Sequence, residues 1–199
     1  MQKSIVLIIR DGWGINPNPD HNAIKNAHTP ITDALLESYP NTILEASGYQ
    51  GSSEVGHLNI GAGRIVEQEI TKITNNIRDG SFFKSSIFQK AINNVLENSS
   101  SLHLMGLVQD EGVHAHQDHL FSIMKYAKEK GVARLYIHFF ADGRDSAPKS
   151  ALNYIRTLKE KIDEYGIGEI ATFMGRYYAM DRGKEWRLTT TAYDAITKG

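Results

Sequence analysis

Apolar and polar positions alternate along this chain in blocks that predict strands followed by helices. Residues 5–9 are continuously apolar and mostly β-branched, which is typical of a strand buried on both faces in a parallel sheet. Thr29 followed by Pro30 predicts a helix start, because a hydroxyl can cap the first turn and proline fits the first helical position. Residues 42–46 predict a second short strand, and a short helix is expected to begin at Ser53.

From about residue 65 onward, the pattern changes to longer amphipathic helices that alternate with short apolar strands. Glycines end two of these helices, at Gly131 and Gly166. Regular alternation of strand and helix indicates an α/β fold with mostly parallel strands, in which ligands bind beyond the carboxyl ends of the strands. The predicted strands span residues 102–108, 135–140 and 170–174, and the predicted helices include residues 120–127 and 151–162.

Composition narrows the class of partner and the kind of metal site. The 199 residues carry 22 basic and 23 acidic side chains, so the charge does not favour nucleic acid or an anionic membrane as a partner. The absence of cysteine excludes disulfides and Cys-ligated metals. No apolar run approaches the ~20 residues of a membrane span, and the run near the start is short for a signal peptide. We therefore expect a cytoplasmic protein without nucleic-acid or membrane partners.

Two side chains near the amino terminus are candidates for a metal site and a nucleophile. Asp11 follows the first predicted strand, where a carboxylate suits a hard cation, although a turn aspartate bonded to nearby backbone is an equally good interpretation. Ser53 opens a predicted helix, whose free N–H groups favour an alkoxide or a bound phosphate, but most serines at such a position only cap the helix. No His/Asp triad is recognisable around Ser53, so activation by a metal near Asp11 is the route that fits.

Three arginines that follow predicted strands suggest a site for a small polyanion: Arg144, Arg176 and Arg182. Arg144 is followed by Asp145, and together they offer a fork for phosphate or carboxylate and an acceptor for hydroxyls. A turn with a surface ion pair would give the same sequence. The two tyrosines that follow Arg176 are expected to pack rather than to take part in chemistry.

Three histidines lie within six residues, at His114, His116 and His119. Such a cluster is one form of metal site. Alternatively, one histidine lies in a substrate cleft and the others belong to a helix start. The sequence contains no phosphate-binding GxxxxGK[ST] loop, and the glycines near residue 61 lack the third glycine of a dinucleotide motif, so no nucleotide is expected.

Six strings cover nearly the whole chain: DGWG at 11–14, SEVGHLNIGAGR at 53–64, LMGL at 104–107, GVH at 112–114, DGRD at 142–145 and GRYYAMDR at 175–182. Together and in this order, they resemble the cofactor-independent phosphoglycerate mutases. The resemblance implies an α/β protein in two parts. Residues 1–67 would be the first portion of an incomplete alkaline-phosphatase-like domain, and residues 68–199 most of an inserted α/β substrate (phosphotransferase) domain.

The resemblance also implies the reaction, which interconverts 3- and 2-phosphoglycerate through a phosphoserine. The complete enzyme would be a monomer with two Mn²⁺ or Mg²⁺ ions, and it would use neither 2,3-bisphosphoglycerate nor a nucleotide. Ser53 would be the nucleophile, and Asp11 and Ser53 would be metal ligands. Metal ions and arginines would neutralise charge in both transfers. The residues that would bind phosphoglycerate are His114, Arg144, Asp145, Arg176 and Arg182.

Some features depart from the family pattern. The family chain is much longer, and its other metal ligands lie in the carboxyl half. Arg10 stands beside Asp11 where an apolar residue is usual, which we expect to weaken metal binding. Ser52 replaces a usual asparagine, and Glu111 replaces a usual glycine. The first sheet would lack partner strands and expose an apolar edge. Two alternatives stay open, a metal-dependent phosphatase of the same superfamily and an inactive fragment that only binds phosphoglycerate.

Overall fold

The computed structural model describes residues 4–45 and 53–198 and divides into two compact units, Met1–Val66 and Glu67–Gly199. The division lies next to the boundary expected from the sequence, and the domain identities given to the two units stay predictions. No helix in the described residues has the length and apolar character needed to cross a membrane.

The described part of the first unit consists of short helices joined by irregular chain. Helix α1 spans Ala23–Asn26, α2 spans Pro30–Ser38 and α3 spans Ser53–Ala62, so the helix starts predicted at Pro30 and Ser53 are confirmed. The Thr29 hydroxyl does not cap the backbone of α2 and instead donates to Asp33 Oδ1 at 3.1 Å.

Both strands predicted in the first unit are wrong over the residues that the structure describes. Residues 5–9 form irregular chain, and the first four of them are between 72 and 94% exposed. Residues 42–45 are also irregular, while residues 46–52, which include Ser52, lie outside the described residues. A buried parallel strand needs neighbours, and the described part of this unit supplies none. The exposed apolar run is what we expect of a sheet without partner strands.

The second unit is built on a three-stranded parallel sheet with the order β1-β2-β3. Strand β1 spans Leu102–Leu107, β2 spans Leu135–Ala141 and β3 spans Glu169–Gly175. Each lies within one residue of its predicted range at either end. The central strand β2 is the most buried of the three, because it has a neighbour on both edges. The parallel sheet confirms the α/β prediction.

Helices precede the first strand of the second unit, join the strands and follow the last one. The helix after β2 ends at Gly166, whose φ of 61° gives the left-handed cap that ends many helices. Sequence reasoning predicted the helices that join the strands and missed the helices just before β1 and at the end of the unit. The helices are α4 (Glu69–Arg78), α5 (Ser86–Glu97), α6 (Gln117–Glu129), α7 (Ala151–Tyr165), α8 (Arg176–Ala179) and α9 (Trp186–Thr197).

The core of the second unit lies on both faces of the sheet. Ile137 and Phe139 of β2 belong to one buried cluster, which includes side chains of α5, α6 and α7. Phe140, which points to the opposite face, packs with Leu107, Met174 and Ala192 of α9. Burial on both faces therefore fixes the strand ends from which the candidate site is built.

Candidate functional site

The carboxyl ends of β2 and β3 open into a cleft of about 590 Å³. This is the position at which α/β sheets bind ligands. The five residues predicted to bind substrate all line it, although their roles in binding stay predictions. The charged and aromatic side chains that line the cleft are His114, Asp142, Arg144, Asp145, Arg176, Tyr177, Asp181 and Arg182.

Arg176, the first residue of α8, joins the ends of β2 and β3 through two carboxylates. Its Nη1 donates to Asp142 Oδ1 at 2.6 Å and to Asp145 Oδ2 at 2.7 Å. The Asp142 side chain is fully buried, whereas the side chains of Arg176 and Asp145 are each 14% exposed. Ion pairs at such burial are stable only when hydrogen bonds offset the desolvation of the charges.

Asp142 meets this requirement by organising the turn that follows β2. Its carboxylate accepts hydrogen bonds from the backbone N–H groups of Arg144 and Asp145 at 3.4 Å and of Ser146 at 2.6 Å. Burial by itself would raise the pKa of Asp142, but hydrogen bonds from Arg176 and Ser146 outweigh it and lower the pKa to about 2. Asp142 is therefore ionised at neutral pH.

Sequence reasoning did not assign Tyr177 and Asp181 to the cleft, and it also missed Asp142. Its carboxylate is fully buried and ion-paired, which no local pattern reveals. One signal was available, because Asp142 is the first residue after a buried strand and precedes a glycine. Gly143 has a φ of 78°, so the turn needs a residue that tolerates the left-handed region.

The other two arginines present their charges differently. Arg144 and Arg182 are exposed, and the ion pairs of the described cleft residues do not include them. His114 Nε2 lies 3.8 Å from Asp145 Oδ2, and its side chain is 53% exposed. The cleft thus combines one buried, paired guanidinium with two accessible ones, an arrangement that can hold a small molecule with more than one anionic group.

The three clustered histidines line one pocket beside β1, but each has a different partner. His114 lines the cleft, whereas His116 caps α6 by accepting a hydrogen bond from the backbone N–H of Asp118 at 3.2 Å. His119 Nε2 lies 2.8 Å from Thr74 Oγ1 and so connects α6 to α4. Burial and the neighbouring His116 lower the pKa of His119. The observed roles match one cleft histidine with two helix-start residues, and the described residues contain no group of three side chains able to hold a metal.

In the first unit, Ser53 and Asp11 are hydrogen-bonded although 42 residues separate them. Ser53 Oγ donates to Asp11 Oδ2 at 2.8 Å, while Asp11 Oδ1 accepts from the Gly12 N–H at 3.0 Å. His57 Nδ1 lies 2.8 Å from the Ser53 carbonyl oxygen and 3.3 Å from Ser53 Oγ. The shorter distance indicates that the imidazole donates to the carbonyl. The structure thus brings together the two residues predicted to form the serine site.

The serine site supplies only part of a metal-binding set. Ser53 and Asp11 offer two adjacent oxygen ligands, whereas a hard divalent cation takes about six. Among residues 4–45 and 53–198, no three histidine or carboxylate side chains form a group that could hold a metal ion. The residues present do not complete a site for the ions that the resemblance implies, so no step through a metal follows from this structure.

Arg10, which precedes Asp11 in the sequence, directs its charge to other side chains. Its guanidinium carbon lies 3.9 Å from the centroid of the Trp13 ring, and its Nη1 donates to Thr32 Oγ1 at 2.9 Å. A cation over an aromatic face is a favourable arrangement. The weakening of metal binding expected from Arg10 stays a prediction.

The two tyrosines after Arg176 do not serve the packing role expected of them. Tyr177 is 69% exposed and Tyr178 is 42% exposed, and their rings contact each other edge to face. Tyr177 also lines the cleft. The short helix α8 follows β3 directly, and Ala179, rather than either tyrosine, packs against the second buried cluster.

Comparison with known proteins finds similarity to one family. The family model described as "BPG-independent PGAM N-terminus (iPGM_N)" matches residues 73–199. The 2,3-bisphosphoglycerate-independent phosphoglycerate mutase of Clostridioides difficile is 50% identical over 207 residues, and that of Clostridium botulinum is 51% identical over 206 residues. Each match covers 100% of this chain and 40% of the relative. The chain therefore spans about two fifths of the length of these curated relatives.

A solved structure gives the same result at the level of the fold. The phosphoglycerate mutase of Leishmania mexicana, whose crystal structures were determined at low cobalt concentration, is similar to this chain with a TM-score of 0.84 and 28% sequence identity. The similarity covers 94% of this chain and 37% of that protein. This match confirms the α/β fold class and again extends over only part of the longer protein.

Proposed function

Because this chain belongs to the family of 2,3-bisphosphoglycerate-independent phosphoglycerate mutases, we propose that it is the amino-terminal part of an enzyme that interconverts 3- and 2-phosphoglycerate. In this proposal, the second unit holds the substrate and the first unit provides the nucleophile. The isolated 199 residues would bind phosphoglycerate without converting it.

The observation that carries the proposal is the convergence of five predicted substrate residues on one cleft. They come from the segment after β1, the turn after β2 and the segment after β3, and they meet at the carboxyl edge of the sheet. Phosphoglycerate carries a phosphate, a carboxylate and a hydroxyl. Three guanidinium groups and the Asp145 carboxylate match those groups in charge and in hydrogen-bonding capacity.

Ser53 is the proposed nucleophile of the longer protein. Its Oγ would lose its proton and attack the phosphorus of 3-phosphoglycerate, the bond from phosphorus to the C3 oxygen would break, the C3 oxygen would take up a proton, and glycerate would stay bound in the cleft. The phosphoryl group would then return from Ser53 to the C2 oxygen, which gives up its proton, while Ser53 Oγ regains one. The hydrogen bond from Ser53 to Asp11 supports this role, because a carboxylate oxygen at 2.8 Å can accept the hydroxyl proton.

The remaining features of the longer protein are inferences from family membership and composition. We infer that it carries two Mn²⁺ or Mg²⁺ ions, with Asp11 and Ser53 among their ligands and the other ligands outside the described residues. A place in glycolysis, a cytoplasmic location and a monomeric state also stay predictions.

The experiment that tests the binding role is calorimetric titration of the 199-residue chain with 3-phosphoglycerate. Arg182→Ala is the variant of choice, because Arg182 is exposed and its removal leaves no buried charge unpaired. We expect it to weaken binding at least about tenfold, since it loses charge-assisted hydrogen bonds. Arg156→Ala removes the same charge from an exposed position on α7 and should leave the affinity unchanged. Equal affinities for the two variants would overturn the assignment of the cleft.

A further inference from the structure

The two carboxylates that hold Arg176 differ in how firmly each is fixed. Asp142 is fully buried and accepts three backbone hydrogen bonds besides the guanidinium. Asp145 lines the open cleft, and its carboxylate contacts two side chains, Arg176 at 2.7 Å and His114 at 3.8 Å. Asp142 cannot leave without breaking the turn after β2, whereas Asp145 can rotate away and leave the backbone unchanged.

The cleft is also balanced in charge. Its lining contains three arginines and three aspartates, which are Asp142, Asp145 and Asp181, so its formal charge is zero when His114 is neutral. Both hydrogens of Arg176 Nη1 already point to carboxylates. A small anion that enters the cleft therefore finds Nη1 of Arg176 occupied, and at the remaining N–H groups of the guanidinium it meets the negative charge of Asp145 beside it.

We propose that Asp142 is the fixed counter-ion that positions Arg176, and that Asp145 is an exchangeable counter-ion. Asp145 screens Arg176 against anions that cannot donate a hydrogen bond to the displaced Asp145 carboxylate. This inference rests on the proposed function, because it concerns how the cleft selects phosphoglycerate. It makes Asp145 a specificity-determining residue and Asp142 a positioning residue.

The physical reason is the cost of an unpaired carboxylate. An anion that takes the place of Asp145 on Arg176 leaves Asp145 partly buried without its donor, which is unfavourable. An anion that stays beside the ion pair is repelled by a like charge a few ångströms away. A ligand that carries a hydroxyl next to its anionic group avoids both costs, because the hydroxyl donates to the displaced carboxylate. 3-Phosphoglycerate has such a hydroxyl on C2, whereas sulfate has none.

The test measures the affinity of the 199-residue chain for three probes at pH 8 by calorimetry. The probes are 3-phosphoglycerate, the phosphate ester of 3-hydroxypropanoate and sulfate. The second probe has the same two anionic groups as the first and lacks the hydroxyl. For the unsubstituted chain, we expect 3-phosphoglycerate to bind about tenfold more tightly than the probe without the hydroxyl, which is typical for one hydrogen bond to a charged group.

Asp145→Asn is the decisive variant, because it removes the screening charge and keeps the size of the side chain. We expect it to bind sulfate and the ester without the hydroxyl about tenfold more tightly than the unsubstituted chain does. In this variant, 3-phosphoglycerate should bind about as tightly as the ester without the hydroxyl. Asp142→Asn should instead weaken all three probes, because Arg176 is no longer held in place.

Asp181→Asn is the matched control. It removes one negative charge from the same cleft, but its carboxylate accepts from the backbone N–H groups of Gly183 and Glu185. It should shift the affinities for the three probes by the same factor and keep the preference for the hydroxyl. Near-ultraviolet circular dichroism of each variant establishes that it is folded. The screening role of Asp145 is tested by Asp145→Asn alone, even if Asp142→Asn does not fold.

The outcomes separate this inference from the proposed function. Binding of 3-phosphoglycerate by the unsubstituted chain, with no gain for sulfate in Asp145→Asn, would overturn the screening role and leave the proposed function standing. If the unsubstituted chain binds none of the probes and Asp145→Asn binds sulfate, the phosphoglycerate role of the cleft and the exchange with a hydroxyl both fail, and only the masking of Arg176 is upheld. Failure of every variant to bind any probe would overturn both proposals.

Discussion

The second unit buries apolar side chains on both faces of its sheet, whereas the first unit leaves its longest apolar run exposed. Phe139 of β2 is fully buried, while Ile5 is 94% exposed. Val55 is the one buried residue among those described in the first unit. Both units contain the same kind of sequence, apolar runs followed by glycine-rich turns. The difference indicates that such a run becomes a strand only where neighbouring strands and covering helices are present.

The two candidate sites differ in the same way. In the cleft of the second unit, Arg176 is paired with Asp142 and Asp145, and Asp142 closes the turn after β2. The serine site of the first unit has its nucleophile and one carboxylate, bonded at 2.8 Å, and no further metal-binding group among the described residues. The proposed function assigns binding to the second unit and chemistry to the first, and this division can be tested.

The largest effect is expected from Ser53→Ala in the longer protein. Loss of the nucleophile should lower the mutase rate by at least about 10⁴-fold, because the oxygen that accepts the phosphoryl group is removed. Binding of 3-phosphoglycerate by the 199-residue chain should be unchanged by the same substitution. Ser38→Ala, at the end of α2, is the control and should keep the normal rate. A near-normal rate from Ser53→Ala in a coupled assay would remove the chemical role from the first unit.

The next largest effect is expected on stability, which a core substitution in the second unit should lower far more than a substitution in residues 5–9. Phe139→Ala should lower the free energy of unfolding by about 3–5 kcal/mol, because it leaves a cavity in the buried cluster of the second unit. Leu7→Ala changes a side chain that is 72% exposed and should change the free energy by less than about 0.5 kcal/mol. Urea denaturation followed by circular dichroism measures both. Similar losses from the two variants would show that residues 5–9 are packed in solution.

A smaller effect is expected from pH. The pKa of Asp142 is lowered from 3.8 to about 2 in the folded protein, so its contribution to stability is present above pH 3.8 and is lost as the pH falls through about 2. This shift corresponds to about 2 kcal/mol. Asp142→Asn should remove that part of the pH dependence, which acid titrations of the unfolding free energy measure. An unchanged acid profile would mean that Asp142 is not paired with Arg176.

The last comparison needs no substitution, because it measures hydrogen exchange of the backbone amides in the unmodified chain. Backbone amides of β2 bond to neighbouring strands on both sides and should exchange slowly, while those of residues 5–9 should exchange close to the rate of unstructured chain. Mass spectrometry of peptides from the two segments gives the comparison. Equal protection would contradict the contrast between the units.

Much of the second unit could be predicted from the sequence. Strands over 102–108, 135–140 and 170–174 were recognisable because their apolar runs are bounded by glycines and polar turns, and all three are observed within one residue. Residues 5–9 have the same local pattern and are irregular. Local pattern therefore predicts the capacity to form a strand, while the neighbours that realise it depend on tertiary structure.

The cleft was predictable in its residue types and not in its pairing. Arginines after strand ends indicated an anion site, since the carboxyl ends of parallel strands meet at one edge. That Arg176 is shared between Asp142 and Asp145 depends on the distance between two strand ends, which the sequence does not contain. The different partners of His114, His116 and His119 likewise depend on where α6 begins.

The most direct test of the account uses the 199-residue chain with 3-phosphoglycerate and Mn²⁺, without 2,3-bisphosphoglycerate. One sample is followed by calorimetry for binding and by NMR for conversion to 2-phosphoglycerate, and both measurements are repeated with EDTA. The account predicts saturable binding that EDTA does not change, together with no conversion. Conversion that EDTA abolishes would contradict it, because the serine site would then be complete without the rest of the longer protein.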